Sequence, residues 1–384
     1  MKIIDVCPFY SPSGGGVRTY IHQKLKIGPR LGHEIVIIAP GDKNRSERLG
    51  EKARLITIAS PRFPLDRKYW YFDDESALYA VLDHECPDVV EVSSPWRSPM
   101  TVARWRGSAL RSLVMHADPL SAYAYRWFDP FLERNTIDRR FEPYWNHLRL
   151  LGRSFDLTIC ANHDLARRLQ NGGMQGVRVV PFGVETALFS PQHRDPGLRK
   201  SLLAHCGLDT KGRLLVGAGR LAPEKRWPMV VEAVTAVSRH MPVGLVLFGD
   251  GRERRSILRA IAGNPHVRLF EAVRDRRTFA AILASADGVI HGCEAETFGM
   301  VTAEARASGT PVIVPDAGGA ADHADAGSDL LYRAGDTLAV ASAVRRFCAL
   351  PIARSPGLAI SSHQDHFEAL FGCYATLLSG AQAA

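Results

Sequence analysis

The chain has 384 residues, of which 46% are hydrophobic and 23% charged, and its formal net charge is +8. At roughly 100–200 residues per domain, this length predicts two domains. The composition is that of a globular protein and excludes a disordered or fibrous chain. The basic excess suits an anionic partner such as a membrane surface, a phosphate-bearing substrate or nucleic acid, and it is equally consistent with solubility alone.

No apolar stretch approaches the ~18 residues of a membrane span. The opening "MKIIDVCPFY" is too short an apolar run for a signal peptide and is typical of a first strand. The seven cysteines form no C-x-x-C pair, and their odd number favours reduced thiols over a disulfide framework. We therefore expect a cytoplasmic protein, with peripheral contact to an anionic membrane as an open alternative.

Short apolar runs alternate with amphipathic helical patterns along most of the chain. In the first half, the predicted strands are "KIIDVCPF", "HEIVIIAP", "DVVEVSSP", "RSLVMHAD", "DLTICAN" and "VRVVPFG". Their almost continuous hydrophobicity is typical of strands buried on both faces of a parallel sheet. The stretch "GGVRTYIHQKLKIGPRLG" predicts a helix with a glycine beyond its end.

The pattern restarts at "RLLVGAGR" and continues through "VGLVLFGDG", "VRLFEAV", "GVIHGCE" and "TPVIVPDAGG", with helical stretches between. Two series of strand–helix units predict two doubly wound α/β domains with parallel sheets. The boundary is predicted near residues 184–197, a polar, proline-containing stretch without a clear period. The aromatic segments 61–76 and 121–152 do not fit plain strand–helix units, and each is either a substrate-side insertion or packing beneath a loop.

Glycine-rich turns follow strands at the edge where open parallel sheets bind ligands. In "SPSGGGVRTY", the backbone N–H groups of Gly14, Gly15 and Gly16 could approach an anion at a helix N-terminus, or the turn could simply be flexible. In "GAGRLAPEKRW", Arg220 and Lys225 could neutralise a pyrophosphate, or belong to a solvated basic loop. The first turn is not G-x-G-x-x-G, so the dinucleotide fingerprint is absent.

Two glutamates stand eight positions apart in "GCEAETFGMVTAEARASGTPVIVPDAGG". The sequence predicts a helix starting near Gly299, so that Met300 and Val301 offer further backbone donors to an anion. Glu304, about one turn into this helix, could accept hydrogen bonds from vicinal hydroxyls, or be an ordinary surface glutamate. Glu296, at the strand end, would face whatever group the phosphate carries.

Together these residues resemble the GT-B glycosyltransferases, specifically the retaining family 4. That family combines an E-x7-E motif, a G-R-L-x-x-x-K loop and an N-terminal glycine loop, here "ETFGMVTAE", "GRLAPEK" and "GGG". "VVPFGVETALFSP" is similar to the family's interdomain segment, with Phe182 and Glu185 as departures, and "LVLFGDGRERRSI" to its G-x-G turn. The resemblance extends over nearly the whole chain and is strongest to lipid-directed sulfoquinovosyl and mannosyl transferases. Asp322 stands where many other members carry Glu.

The resemblance implies an α/β GT-B fold with two Rossmann-like doubly wound domains facing a central cleft. Residues 1–190 would form the N-terminal acceptor-binding domain and residues 191–365 the C-terminal nucleotide-sugar-binding domain. The final helix, residues 366–384, would pack back onto the N-terminal domain.

The resemblance also implies roles for single residues. The implied catalytic residues are His116, Arg220, Lys225 and Glu296; Arg220 and Lys225 would stabilise the leaving nucleoside diphosphate, and Glu296 would orient the donor sugar. The implied donor-binding residues are Gly15, Gly16, Gly249, Val273, Phe298, Gly299, Met300, Val301 and Glu304. Within this set, Val273 would lie at the nucleobase and Glu304 on the ribose. Asp118 and Arg18 are acceptor-side candidates.

We expect hexosyl transfer from a nucleotide sugar with retention at the anomeric carbon, by front-face attack as proposed for the family. No carboxylates are paired as a glycosidase would need. No D-x-D motif occurs, so neither a metal nor a cofactor is expected. A UDP-sugar is slightly favoured over GDP-mannose as donor, the acceptor is expected to be a lipid or glycan, and no nucleic acid partner is expected.

Two other classes remain open from the sequence. One is a sugar-nucleotide epimerase with the same two-domain build, which would change the donor sugar without an acceptor. The other is a non-catalytic module that binds nucleotides or nucleic acid through interleaved basic and aromatic residues. The second class would not hydrolyse a nucleotide sugar.

Overall fold

The chain folds into two separate β-sheets, as a computed structural model shows. The structure describes residues 1–10, 16–64, 67, 69–129, 131–325, 327, 329–351 and 360–382. The strands of the first sheet are β1 (Lys2–Val6), β2 (Glu34–Gly41), β3 (Arg45–Gly50), β4 (Ala53–Ala59), β5 (Val89–Ser93), β6 (Leu110–Val114), β7 (Leu157–Cys160) and β8 (Val177–Val179). Those of the second are β9 (Arg213–Ala218), β10 (Val243–Phe248), β11 (Val267–Phe270), β12 (Gly288–Ile290), β13 (Val312–Pro315) and β14 (Leu330–Tyr332).

Helices connect the strands of both sheets. The helices of the first half are α1 (Gly16–Ile27), α2 (Glu75–Glu85), α3 (Arg97–Arg104), α4 (Arg126–Phe128), α5 (Arg134–Arg140), α6 (Glu142–Ser154) and α7 (His163–Asn171). Those of the second half are α8 (Pro196–His205), α9 (Trp227–Ser238), α10 (Arg254–Ile261), α11 (Arg276–Ser285), α12 (Met300–Ala307), α13 (Thr337–Ala349) and α14 (His363–Gln382). A π-helical turn, Leu120–Tyr125, leads into α4.

Both sheets are doubly wound. The first has the order β3-β4-β2-β1-β5-β6-β7-β8, and the second β11-β10-β9-β12-β13-β14. All neighbouring strands are parallel except β3 and β4, which are antiparallel. The winding direction reverses between β1 and β5 in the first sheet and between β9 and β12 in the second. Ligands of such sheets bind beyond the carboxyl ends of the strands at these switch points.

Alternate residues of the central strands enter different hydrophobic cores, as expected for sheets buried on both faces. In β1, Ile4 packs with α2, α3, α6 and α7, whereas Ile3 packs with α1 and α14. In β9, Leu214 and Leu215 likewise enter different cores. The predicted α/β GT-B fold class, including the return of the last helix to the N-terminal half, is confirmed.

Three strands of the structure have no counterpart in the sequence-based assignment. The antiparallel pair β3–β4 forms one edge of the first sheet, and β14 forms one edge of the second. Strand β3 is mostly exposed and polar, so it lacks the hydrophobic pattern that identified the central strands. Strand β14 has only three residues, too few to show a period.

The two aromatic segments are partly packed and partly exposed. Segment 121–152 forms the end of the π-helical turn, α4, α5 and most of α6, and its Tyr125, Trp145 and Leu148 are buried in the first core. Segment 61–76 includes a bridge between Arg62 and Trp70, and the Arg62 guanidinium lies 4.0 Å from the Trp70 ring centroid.

All seven cysteines are free. None of the helices in the described ranges is long and apolar enough to cross a bilayer.

A buried charge cluster connects α1, α14 and the centre of the first sheet. Asp5 and Glu91 are register partners on β1 and β5. The Lys24 ammonium of α1 contacts both carboxylates, at 2.5 Å from Asp5 Oδ2, and all three side chains are buried. The Tyr374 hydroxyl of α14 donates a hydrogen bond to Glu91 Oε1 at 2.7 Å. Lys24 therefore compensates two carboxylates that could not remain ionised there alone.

Replacing Lys24 with methionine is expected to lower the free energy of unfolding by about 3–5 kcal/mol, because two buried carboxylates lose their counter-charge. Urea unfolding followed by circular dichroism measures this change. Lys26→Met is the matched control, since Lys26 lies on the same helix but is exposed, and it should shift stability by roughly 0.5 kcal/mol or less. Equal effects of the two variants would contradict the assignment.

Candidate active site

The switch point of the second sheet brings together two loops that are distant in sequence. Strands β9 and β12 are parallel neighbours, with Val289 in register with Val216. The loop after β9 contains the 3₁₀ turn Pro223–Lys225, which begins with a proline at its first position. The loop after β12 contains Glu296. Because parallel strands end at the same edge, Lys225 and Glu296 meet there.

Lys225 and Glu296 form a mostly buried ion pair. The Lys225 ammonium donates to Glu296 Oε1, and the two side chains are 14% and 19% exposed. Burial acts to lower the pKa of Lys225, but the Glu296 carboxylate outweighs it and the pKa lies above its ordinary value. Burial acts to raise the pKa of Glu296, but Lys225 and His291 outweigh it and this pKa lies below its ordinary value. Both groups are therefore charged at neutral pH.

His291 is a site residue that our sequence reasoning missed, although it stands in the predicted strand "GVIHGCE". Its side chain is buried and its Nε2 lies 3.2 Å from Glu296 Oε1. Neither ring nitrogen has a hydrogen bond of acceptable geometry among the described residues. Its position at a strand end, five residues before Glu296, could have identified it as a site residue.

A second ion pair lies beside the first and was also missed. The Arg226 Nε donates to Glu294 Oε2 at 2.8 Å, and Glu294 is buried. Arg226 has a φ of 49°, in the left-handed region, which directs the chain from the 3₁₀ turn into α9. A Cβ on Gly292 would meet the Lys225 carbonyl oxygen at 2.6 Å, so glycine permits the close approach of the two loops.

Arg220 is on the same loop as Lys225 but does not join the ion pair. Its side chain is 79% exposed, and its guanidinium lies 3.2 Å from Glu224 Oε1. Its carbonyl oxygen accepts a hydrogen bond from Trp227 Nε1 at 3.1 Å, which fixes the backbone of the loop. The guanidinium is thus a solvent-facing cation at the same strand edge.

Helix α12 begins directly after the Glu296 loop. Gly299 is its N-cap with a φ of 82°, a conformation that favours glycine. Phe298 is buried, and its carbonyl oxygen contacts His323 Nε2 at 2.6 Å. The first backbone N–H groups of the helix, from Met300 and Val301, give this edge the positive end of a helix dipole.

Glu304, the second glutamate of the pair, is buried in α12 and has a partner. Its Oε1 accepts a hydrogen bond from Arg276 at 2.7 Å. Burial raises the pKa of Glu304 above its ordinary value, although Arg276 opposes the shift. Arg276 itself is about half exposed, and its guanidinium lies 4.7 Å from the Phe189 ring centroid. The structure therefore places a cation, which sequence reasoning missed, between Glu304 and solvent.

His116 reaches this edge from the first domain. The Thr297 hydroxyl donates to the His116 carbonyl oxygen at 3.3 Å, so its backbone touches the Glu296 loop. Its ring packs against Tyr20 and Phe182, at centroid distances of 4.7 and 5.2 Å. Burial lowers the pKa of His116 to about 3, so the ring is neutral. Its buried Nε2 has no hydrogen-bond partner in the described part of the chain.

Asp118 is already engaged in the first domain. Its carboxylate is buried, contacts the Arg168 guanidinium and accepts a hydrogen bond from the Ser121 N–H at 3.2 Å. Arg18 is exposed on α1, and Gly16 is the exposed first residue of that helix. Gly15 and the preceding Gly14 lie outside the described residues.

Gly249 and Val273 lie on loops that follow β10 and β11. A Cβ on Gly249 would collide with the Gly219 carbonyl oxygen, so this glycine permits the two turns to pack. Val273 is half-buried against the second domain's core. Both loops are on the side of β9 away from β12. Among the described residues, neither Gly249 nor Val273 forms a hydrogen bond or ion pair with Lys225 or Glu296.

Residues from both domains meet at the Glu296 loop. Asn162 Nδ2 donates to the Thr297 carbonyl oxygen at 2.7 Å, and Asp322 accepts from the His163 N–H at 2.8 Å. These contacts place His116 and the Lys225–Glu296 pair at one interdomain edge. No local sequence pattern identifies Asn162 as a contact of this loop, because its partner is 135 residues away.

Three side chains at this edge have the types and spacing that could hold a cation. The ligand atoms of His291, Cys293 and Glu296 lie within 4.8 Å of one another. However, the Lys225 ammonium already contacts Glu296. Burial also raises the pKa of the Cys293 thiol to about 12. A metal there would require both displacement of an ammonium and loss of a tightly held thiol proton, so this set is poorly suited to a metal.

Comparisons with known proteins place the chain among sugar transferases. The family described as Glycosyltransferase Family 4 matches residues 14–188, and that described as Glycosyl transferases group 1 matches residues 212–349. A GDP-mannose-dependent alpha-(1-6)-phosphatidylinositol dimannoside mannosyltransferase of Mycobacterium tuberculosis is 27% identical over 316 residues, which are 82% of this chain and 79% of that protein. A GDP-mannose-dependent alpha-mannosyltransferase of the same organism is 29% identical, over 84% and 81% of the two chains.

More distant similarities agree with the fold. A sulfoquinovosyl transferase of Arabidopsis thaliana is 26% identical over 62% of this chain and 44% of that protein. Sucrose-phosphate synthase from Thermosynechococcus elongatus has a TM-score of 0.77 at 18% identity, with 99% and 100% of the two chains covered. The Anabaena HepE protein in complex with UDP and glucose has a TM-score of 0.66 at 18% identity, with the same coverage.

The two doubly wound sheets and the charged edge between them define a glycosyltransferase of the GT-B class. The chain belongs to glycosyltransferase family 4, since both matched families and the curated relatives agree with the motifs in its sequence.

The depressed pKa of Glu296 predicts a pH-dependent contribution to stability. A carboxylate with a lowered folded-state pKa stabilises the protein above its unfolded pKa of about 4.3, and this stabilisation is lost as the pH falls through the folded pKa. Glu296→Gln should therefore cost roughly 1.5–3 kcal/mol at neutral pH, and progressively less below about pH 4. Urea unfolding from pH 7 to pH 3 measures the difference.

Glu232→Gln is the matched control, because Glu232 is exposed on α9. It should stay close to the wild type at every pH. A stability difference for Glu296→Gln that does not depend on pH would show that the ion pair does not control the charge of Glu296.

Proposed function

We propose that the protein transfers a mannosyl unit from GDP-mannose to a hydroxyl group of a lipid or lipid-linked glycan, with retention at the anomeric carbon and without a metal ion. The observation that carries this proposal is the Lys225–Glu296 pair at the switch point of the second sheet, next to the N-terminus of α12. This edge combines a fixed cation, a helix dipole and a carboxylate, the groups that a sugar diphosphate requires.

The choice of donor rests on the curated relatives. Both mycobacterial relatives are named as GDP-mannose-dependent enzymes. The expected slight preference for a UDP-sugar is not confirmed by these comparisons. The names of the relatives, which include a phosphatidylinositol dimannoside mannosyltransferase and a sulfoquinovosyl transferase, also support a lipid-borne acceptor.

In the proposed reaction, the bond between the anomeric carbon and the diphosphate oxygen breaks, and the acceptor oxygen bonds to the anomeric carbon on the same face. The acceptor's hydroxyl proton passes to the departing diphosphate, which leaves as GDP. Lys225, the first N–H groups of α12 and, after a side-chain movement, Arg220 would stabilise the growing negative charge. Positive groups fixed in advance lower the barrier because they need no reorganisation during the reaction.

Glu296 and His116 would position the sugar. Glu296 is held ionised by Lys225, so it can accept hydrogen bonds from sugar hydroxyls but is a poor proton donor. His116 is neutral, and its unpartnered Nε2 can exchange a hydrogen bond with a sugar hydroxyl. Lys225 would supply the positive charge that a divalent metal supplies in other transferases, which supports metal independence.

We also propose that the exposed aromatic residues of the first domain contact an anionic bilayer. All five exposed aromatic side chains of the described residues lie between positions 96 and 131, and Phe131 is 82% exposed. Tyr123, Trp127, Phe128 and Phe131 form a group that we term the aromatic ridge. The same segment also contains Arg126, Arg134, Arg139 and Arg140, which complement an anionic surface.

Replacing Trp127 and Phe131 together with serine should weaken binding to phosphatidylcholine–phosphatidylglycerol vesicles at least tenfold, because each inserted aromatic side chain contributes about 1.5–3 kcal/mol. Co-sedimentation measures the binding. Leu258→Ser is the control, since Leu258 is a similarly exposed apolar residue of the second domain. Unchanged binding of the double variant would refute the role of the aromatic ridge.

The proposed function predicts that radiolabelled mannose moves from GDP-mannose to a lipid fraction. GDP-mannose should also raise the melting temperature more than UDP-glucose does, because a bound donor stabilises the native state by mass action. Replacing Lys225 with alanine should lower the turnover of mannosyl transfer at least 100-fold, because this is the usual cost of removing a group that stabilises transition-state charge. Thin-layer chromatography of the labelled products measures this turnover.

Lys211→Ala is the control, because Lys211 is exposed on the surface of the same domain. Unchanged turnover in Lys225→Ala would refute the leaving-group role. Conversion of the donor sugar without any acceptor would instead indicate an epimerase. Binding of the donor with neither transfer nor hydrolysis would indicate a non-catalytic binding module.

A further inference from the structure

A cavity of about 840 Å³ lies between the two domains, next to the Lys225–Glu296 pair. Its wall from the first domain consists mainly of residues 129 and 132–134, and its wall from the second domain includes residues 316–317 and 333–338. Arg226 and Glu294 also line the cavity. Since they directly flank Lys225 and Cys293 in the sequence, the cavity extends to the edge at which the donor sugar is proposed to bind.

The order of the strands separates this cavity from the proposed donor site. Arg220, Gly249 and Val273 follow β9, β10 and β11, which lie on one side of β12. The cavity residues Asp316 and Arg333 follow β13 and β14, on the other side of β12. The Glu296 loop, which follows β12, lies between the two groups. A nucleotide on the β9–β11 side would therefore leave the cavity open to the group that receives the sugar.

The chemistry of the cavity wall suits a ligand with many hydroxyl groups. Three arginines and three acidic residues line it: Arg134, Arg226, Arg333, Glu133, Glu294 and Asp316. Carboxylates accept hydrogen bonds from hydroxyls, and guanidinium groups donate to hydroxyl oxygens, so alternating charges can bind a polyol on several sides. The volume falls in the range of about 300–1,000 Å³ that is usual for small-molecule sites.

The cavity also adjoins the aromatic ridge. Asp129 and Leu132, which line the cavity, lie within two positions of the exposed Phe131 in the sequence, and Trp127 precedes Phe131 by four positions. A ligand whose polar end occupies the cavity could therefore extend an apolar end towards the ridge. A soluble sugar would occupy only the cavity.

We propose that this cavity binds the polyhydroxylated head group, a sugar or cyclitol, of a lipid acceptor, and that Arg333 and Glu133 determine which head group is accepted. This inference rests on the proposed function, since it assigns the acceptor side of the same reaction. The two walls belong to different domains, so the site is complete only when the domains stand as they do in this structure.

The test compares the wild type with Arg333→Ala, which removes a donor group, and Ala317→Trp, which fills the cavity without changing its charge. Labelled GDP-mannose is the donor, and the acceptor probes are methyl α-mannoside, myo-inositol and phosphatidylinositol vesicles. We expect transfer to phosphatidylinositol vesicles and an acceptor KM at least tenfold higher in both variants. The Kd for GDP-mannose should change less than twofold, because the cavity lies on the other side of Glu296.

Arg345→Ala is the matched control, since Arg345 is exposed on α13 about two turns beyond the cavity wall and should leave the acceptor KM unchanged. Melting temperatures of all variants verify that they are folded. Equal acceptor KM values in the wild type and both cavity variants would overturn the assignment of the cavity. The acceptor KM for methyl α-mannoside or myo-inositol could instead equal that for the vesicles. That result would be consistent with a polyol site but would overturn its assignment to a lipid-borne acceptor.

Two further outcomes separate this inference from the proposed function. If the wild type hydrolyses GDP-mannose but transfers to none of the three probes, the function of the donor site stands and the head-group assignment is wrong. If the wild type neither binds nor consumes GDP-mannose, the proposed function itself is wrong, and the cavity loses its role as an acceptor site.

Discussion

The ion pair between Lys225 and Glu296 is the interaction on which the candidate site depends. Either charge alone would be unfavourable in this mostly buried position, and the pairing keeps both ionised. The two residues are 71 positions apart and meet because β12 lies beside β9 at the point where the winding of the sheet reverses. The topology of the sheet thus creates a fixed charge pair at the edge where ligands of such folds bind.

The first domain contains a related arrangement beneath its own switch point. Lys24 lies between Asp5 and Glu91, which are paired residues of β1 and β5. There, however, the lysine is fully buried and Tyr374 of the last helix completes the cluster, so its role is structural. The difference is one of access: a buried lysine holds elements together, whereas Lys225 lies at an edge that a ligand can reach.

The pairings of other predicted residues show why a motif does not determine a role. Glu304 was expected to bind ribose hydroxyls, but Arg276 occupies its carboxylate in this structure. A donor would have to share Glu304 with Arg276 or displace that half-exposed guanidinium. Asp118 similarly contacts Arg168, which favours a structural role over a direct contact with acceptor. Partners of this kind come from distant parts of the chain, so no local pattern reveals them.

The sequence by itself determined the fold class, the central strands and the positions of the glycine turns, because hydrophobic periodicity and turn chemistry act over a few neighbouring residues. It also pointed to Lys225 and Glu296. Only the tertiary structure decided that these two are partners, that His291 and the Arg226–Glu294 pair lie beside them, and that Arg220 faces solvent. It alone placed residues 129 and 132–134 opposite residues 333–338 to form a cavity, since the packing of two domains depends on contacts between residues far apart in the chain.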